Sequence, residues 1–258
     1  MRRRLAITAL VALVVGVGAA TAGAEIFQKK NIRIAFSGGF TPHALPRDRP
    51  APVTIELDSS ISTVDGSQPP ALRDLEISLN SQGRLSTRGL PTCTSAALQS
   101  TTTESALARC GPALVGHGSF GASVASNQSP IPANGKILAF NGRQGGKTTV
   151  LLHLYGTVPV RATFVLPLAI ERRRTGQLGT VLATKIPVLA GGLGSITSVK
   201  LKIGRSYSFQ GQRRSFLSAS CAAPAGFHRA PFPFARGVFH FADETEVKAP
   251  LSRFCSVR

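Results

Sequence analysis

Thr197-Ser198-Val199-Lys200-Leu201-Lys202-Ile203 is the stretch of sequence that most clearly indicates the fold. Apolar side chains recur at every second position, and polar or basic side chains stand between them. A period of two places one face of a strand on a core and the other in water, as in antiparallel sheets. The stretch therefore predicts a half-buried β-strand whose outer face carries Lys200 and Lys202.

The same alternation recurs along most of the chain. It predicts strands over 32–36, 53–58 and 75–80, with further candidates at 137–141, 149–155, 161–171, 179–188, 206–210, 213–221, 237–242 and 245–249. Turn dipeptides such as Asp65-Gly66, Asn134-Gly135 and Gly145-Gly146 separate them. Pro167 and Pro187 indicate sheet edges or bulges. We therefore expect an all-β fold, an antiparallel β-sandwich.

One segment departs from this pattern. Residues 94–109 are rich in Ala, Leu and Ser and stand between Cys93 and Cys110. We expect one short helix here, bracketed by a disulfide.

Composition agrees with a folded, strand-rich chain. Of 258 residues, 43% are hydrophobic and 16% charged, which excludes disordered and collagen-like classes. The 26 Gly and 17 Pro are too frequent and too scattered for a helical bundle. We expect a signal peptide over 1–24, an N-terminal strand with a Pro-rich lead-in over 25–50, and one sandwich domain over 51–258.

The N-terminus has the pattern of an export signal. Three arginines, Arg2 to Arg4, precede an uncharged stretch over 5–24 that ends in Ala22-Gly23-Ala24. This pattern predicts a secretory signal cleaved after Ala24. The alternative is a single uncleaved membrane anchor, because twenty apolar residues can span a bilayer.

The four cysteines agree with export. They lack the C-x-x-C spacing of redox and zinc motifs, and an even number in an exported chain predicts disulfides. Three pairings are open; we favour Cys93–Cys110 and Cys221–Cys255, because both close local loops. In the chain-entropy model such loops stabilise by about 3 and about 4 kcal/mol.

A formal net charge of +18 is the one unusual physical property of the chain. It predicts binding of anions, with candidate residues Arg172, Arg173, Arg174, Lys200, Lys202, Arg213 and Arg214. After export the available partners are an anionic envelope polymer or a membrane surface, and we expect no nucleic acid. The alternative is compositional, since solvated basic faces are common.

A second candidate contact surface is the segment 226–236, which carries Phe227, Phe232 and Phe234 among prolines and arginines. We expect it to form a long loop, and loops on rigid scaffolds often bind partners. The alternative is that the rings fold down as a plug over one end of the sandwich.

Signals for catalysis are weak. Gly142 to Thr148 lacks the first glycine of a P-loop and precedes a strand, so it predicts a hairpin turn. Gly116 to Gly121 lacks the nucleophile-elbow order and predicts a glycine-rich strand. The five histidines show no metal-ligand spacing, and no cofactor is expected. A hydrolase would have to use His117 or His153.

One resemblance can be named. Gly89-Leu90-Pro91-Thr92-Cys93, the stretch from Arg109 to Gly118, Ser220-Cys221 and Phe254-Cys255 resemble a group of uncharacterised secreted proteins of high-GC actinobacteria. The resemblance implies export and an all-β body. Its motifs are structural, so it implies no catalytic residue.

The sequence thus predicts an exported, non-enzymatic protein of the cell envelope that binds or scaffolds at anionic surfaces. One alternative is a secreted hydrolase. The other is a carrier of an apolar ligand, which requires an interior cavity lined by Leu, Val and Phe.

Overall fold

Eighteen strands make up most of residues 23–127 and 129–258, the part of the chain that this computed structural model describes. In chain order they are β1 (Glu25–Lys29), β2 (Ile32–Thr41), β3 (Ala44–Leu45), β4 (Ala51–Pro52), β5 (Thr54–Thr63), β6 (Leu72–Asn80), β7 (Gly83–Leu85), β8 (Leu114–Val124), β9 (Ile131–Gln144), β10 (Lys147–Gly156), β11 (Ala162–Arg172), β12 (Leu178–Lys185), β13 (Gly194–Ile203), β14 (Ser206–Phe209), β15 (Gln212–Ser215), β16 (Leu217–Ala219), β17 (Arg229–Phe241) and β18 (Glu246–Val257).

Thirteen of these strands form one main sheet. Their order is β1-β2-β5-β13-β8-β9-β10-β11-β12-β6-β17-β18-β3, and all neighbours are antiparallel except β18 and β3. The sheet curls until its two edges meet: a guanidinium nitrogen of Arg253 in β18 lies 2.8 Å from the Glu25 carboxylate in β1. The Nε of the same arginine donates to the carbonyl oxygen of Gly38 in β2 at 2.6 Å. The predicted all-β sandwich is confirmed, with both layers belonging to one curled sheet.

Curling buries the apolar face of the main sheet. Phe36 of β2 contacts Phe239 of β17 edge to face, with ring centroids 6.0 Å apart. Both rings are fully buried, as are Ile34 and Leu251. Burying a side chain of this size contributes about 1.5–3 kcal/mol. The core is therefore what holds the two layers together.

Two smaller sheets lie outside the main one. Strands β4, β16 and β7 form a three-stranded sheet, here named the cap sheet, and β14 pairs with β15. The disulfide Cys221–Cys255 ties the chain just after β16 to β18. The cap sheet is thus fixed to one end of the main sheet, here named the cap end.

The segment between Cys93 and Cys110 holds two short helices where one was predicted. They are α1 (Ser95–Leu98) and α2 (Thr103–Cys110). The break arises because Ser100 has a positive φ of 55° and the Thr102 hydroxyl accepts a hydrogen bond from the Ser105 N–H, which starts a new helix. Both helices cover the outer face of β9 to β11.

Both disulfides pair as predicted, Cys93 with Cys110 and Cys221 with Cys255. Two disulfides suggest an oxidising, extracellular environment. Residues 1–22 of the predicted signal segment lie outside the part of the chain that the structure describes.

The turn predicted at Asn134-Gly135 and the sheet edge or bulge predicted at Pro167 have different outcomes. Asn134-Gly135 is not a turn: both residues lie inside β9, where the Phe120 ring and the Tyr155 carbonyl oxygen crowd Gly135. That glycine serves close packing rather than chain reversal. Pro167 sits on a part of β11 that pairs with β10 alone, as an edge residue should.

We expect Gly118→Ala to destabilise the protein, because a Cβ there would collide with the Lys200 carbonyl oxygen of the neighbouring strand β13. The loss should be about 1–3 kcal/mol of unfolding free energy, measured by urea titration. Gly39→Ala is the matched control, since a Cβ on Gly39 would have no neighbour within 4 Å. Equal stabilities of the two variants would contradict the close approach of β8 and β13.

Candidate functional site

A cavity of about 280 Å³ lies between the inner face of the main sheet and the cap sheet. Its wall is built largely from aliphatic and aromatic side chains, among them Leu45, Val53, Ile55, Leu57, Leu79, Leu85, Val150, Leu182, Ile203, Phe216, Leu217 and Phe232. Most of these residues are buried. The interior of this end of the protein is therefore apolar, and side chains do not fill it completely.

The strand period explains why these side chains converge. In β5, Ile55 and Leu57 line the cavity, while the alternate residues Glu56 and Asp58 lie on the outer face. In the cap sheet, Leu217 pairs with Leu85, and both residues line the cavity. The alternation that identified the strands thus also supplies the wall of the cavity.

Three phenylalanines form one side of the cavity. The Phe40 ring lies 5.6 Å from the Phe232 ring and 5.9 Å from the Phe234 ring, measured between centroids. Phe234 is only 4% exposed. Aromatic pairs at such separations contribute packing beyond simple area burial.

The predicted contact loop over 226–236 is therefore wrong from Arg229 onward. Residues from Arg229 to Phe241 form β17, whose first half pairs with β18, so Phe232 and Phe234 belong to a strand. Phe227 alone stays outside it, with 62% of its surface exposed. Its carbonyl oxygen accepts a hydrogen bond from Arg47 at 3.1 Å, which holds the turn in place.

Polar residues edge the cavity where it meets solvent. The exposed ones are Ser81, Gln82, Arg84 and Gln177. The Ser220 hydroxyl donates to the Gln82 amide oxygen at 3.0 Å. Among the described residues that line the cavity, none is a carboxylate.

Lys200 and Lys202 are not part of this end. Their cross-strand neighbours in β5 are Asp58 and Glu56, and the ammonium nitrogens lie 3.1 and 2.5 Å from the respective carboxylates. Both of these predicted anion-binding cations are thus already paired with acidic groups. They line an open groove on the outer face of the sheet, together with His117.

The five predicted arginines lie at the cap end. A guanidinium nitrogen of Arg172 donates to the Leu85 carbonyl oxygen at 2.8 Å, and Arg173 lies 3.1 Å from Glu76. The remaining three are Arg174, Arg213 and Arg214, the last of which lies 6.0 Å from the centroid of the Phe209 ring. The structure thus places five of the seven predicted cations at the cap end and the other two on the outer face of the main sheet.

Positive charge is concentrated at the cap end far more than the sequence suggested. The segments joining the longer strands there are 42–53, 81–94, 145–146, 173–177, 204–216 and 220–228, with the C-terminal residue beside them. Together they hold ten basic residues, all Arg, against one acidic residue, Asp48. The segments at the opposite end, 30–31, 64–71, 125–130, 157–161, 186–193 and 242–245, hold two basic and three acidic residues. Only the strand order reveals this asymmetry.

Neither histidine of the hydrolase alternative is hydrogen-bonded to a serine or a carboxylate in the described chain. His117 is exposed and makes no hydrogen bond to a serine or carboxylate among residues 23–127 and 129–258. His153 is fully buried beneath the helices, where its Nε2 donates to the Thr101 carbonyl oxygen at 3.0 Å and lies 3.0 Å from the Thr101 hydroxyl oxygen. Within the same described ranges, no group of three His, Cys, Asp or Glu residues could hold a metal ion.

Burial lowers the pKa of His153 below its ordinary value of 6.5, because a charged ring would lose its hydration. Its Nδ1 has no hydrogen-bond partner, so a proton there would be buried unpaired. The unfolded chain therefore takes up this proton first as the pH falls. The stability that depends on a neutral ring is present above pH 6.5 and is lost below it, toward the folded-state pKa.

We expect His153→Leu to make stability less dependent on pH just below pH 6.5. The wild-type slope should exceed that of the variant by up to about 1.4 kcal/mol per pH unit, measured by urea unfolding at several pH values. His228→Gln, at an exposed position, should keep the wild-type slope. Identical slopes for wild type and His153→Leu would contradict a buried neutral ring.

Comparisons with protein-family models, curated proteins and solved structures find no match to this chain. The resemblance to secreted actinobacterial proteins stays a prediction. None of the helices in the described part of the chain has the length and apolar character needed to cross a membrane.

Proposed function

We propose that this protein is an exported carrier that binds a small apolar molecule in the cavity beneath the cap sheet. The observation that supports the proposal is the cavity itself, about 280 Å³ with walls of Leu, Val, Ile and Phe. This volume lies just below the range of about 300–1,000 Å³ typical of small-molecule sites, which are concave, mostly apolar and largely preformed, so the ligand should be small. Of the alternatives that the sequence left open, the carrier is the one with a matching site.

Binding would rest on burial of hydrocarbon surface. The side chains deep in the cavity, such as Val150 and Leu182, have no polar atoms with which to orient a ligand. Each Å² of apolar ligand surface removed from water contributes about 25 cal/mol. The ligand should accordingly be recognised by size and apolar character in this part of the site.

Export is part of the proposal. It is supported by the two disulfides and by the basic and apolar pattern of residues 1–24, with cleavage after Ala24.

We expect Ala219→Phe to weaken ligand binding at least tenfold, because the added ring would occupy the cavity from the cap sheet. The measurement is a titration with N-phenylnaphthylamine, a neutral apolar dye that fluoresces when it leaves water. The protein contains no Trp, so its own emission will not obscure the signal.

Ala225→Phe is the control, since Ala225 is exposed and does not line the cavity. It should bind the dye as the wild type does, and thermal unfolding should show both variants folded. A wild-type protein that fails to bind the dye, or an Ala219→Phe variant that binds it unchanged, would refute the proposal.

A further inference from the structure

We infer that the cap end is a docking surface for an anionic lipid bilayer, through which the apolar ligand enters and leaves the cavity. The inference rests on the proposed carrier function for the ligand exchange, but the docking itself is independent of it. Three observations converge on this end: its charge, its exposed aromatic rings and the position of the cavity.

The first observation is the charge asymmetry. The cap-end segments hold ten basic residues and one acidic residue, whereas those at the opposite end hold two and three. Arg174 and Arg213 form no ion pair with any carboxylate in the described part of the chain. A surface of this sign is attracted to anionic lipid headgroups and orients the protein with its cap end toward them.

The second observation distinguishes a bilayer from a soluble polyanion. Phe227 and Phe254 expose 62% and 51% of their surfaces, and both lie at the cap end. The Arg229 guanidinium lies over the Phe254 ring, 4.4 Å from its centroid. Aromatic rings beside basic groups suit the boundary between headgroups and acyl chains, where the ring is buried and the cation meets phosphate. An acidic wall polymer offers no apolar layer for these rings.

The third observation is the position of the cavity. Phe254 pairs across β17 and β18 with Pro231, and the next residue, Cys255, pairs with Ala230. Pro231, Ala230 and Cys255 all line the cavity. The exposed ring therefore stands one residue from the cavity wall, so that docking would bring the cavity close to the acyl chains.

The test is co-sedimentation of the full mature chain with lipid vesicles at low salt. Vesicles of phosphatidylcholine with phosphatidylglycerol should bind the protein at least tenfold more tightly than phosphatidylcholine alone, and about 0.5 M salt should abolish the difference. Equal binding to both vesicle types would overturn the inference.

Two matched pairs of variants locate the surface. Phe227→Ala should lower the affinity for anionic vesicles about tenfold, as expected from withdrawing one ring from the bilayer. Val188→Ala, which removes an exposed apolar side chain at the opposite end, should not. The double variant Arg174→Gln, Arg213→Gln should weaken binding, whereas Arg161→Gln, Lys185→Gln should leave it unchanged.

The outcomes separate this inference from the carrier proposal. Ala219→Phe should bind vesicles as the wild type does, because it alters the cavity and not the surface. Dye binding without vesicles tests the carrier, and vesicle binding without dye tests the docking. Competition by a soluble acidic polymer combined with an unchanged affinity of Phe227→Ala would point to a wall polymer instead, and would overturn the bilayer as partner.

Discussion

The need to cover one apolar face of a thirteen-stranded sheet dominates this structure. The two helices pack on the outer face of β9 to β11, so the inner face has to be buried against the sheet itself. Curling achieves this, and it brings β1 and β2 against β18, where Arg253 is hydrogen-bonded to both β1 and β2. A sheet closed in this way leaves few unpaired strand edges open to other chains. The position of every loop, and so of every charge at the two ends, follows from that closure.

The cavity is a consequence of how the end of the curled sheet is covered. The cap sheet is only three short strands, and its inward residues, such as Leu85 and Leu217, do not reach far enough to fill the space beneath. Protein interiors are ordinarily packed to the density of organic crystals, so a space of this size among Leu, Val and Phe is unusual. It lies where the positive charge is greatest, which places apolar binding capacity and long-range attraction at the same end.

The sequence predicted local features well and long-range ones poorly. Alternation located Lys200 and Lys202 on an outer face, but their acidic partners lie in β5, about 140 residues earlier, and only the strand order joins them. The same holds for the cavity, whose wall combines residues from β2 to β18. Phe232 and Phe234 were misassigned because Pro231 and Pro233 resemble loop residues. These prolines are tolerated because β17 has a neighbour on one side only at those positions.

The covalent tie between Cys221 and Cys255 has a kinetic consequence. It joins the end of the cap sheet to a residue of the cavity wall, so the cap sheet cannot separate from β18 at this point. If the protein carries a ligand as proposed, passage in or out would then depend mainly on rotation of side chains at the edge of the cavity. A bound molecule would leave the cavity slowly in water. It would leave faster at a bilayer, where contact with lipid would let those side chains move. Slow release in water and faster release at a bilayer would then both follow from the disulfide-linked cap sheet.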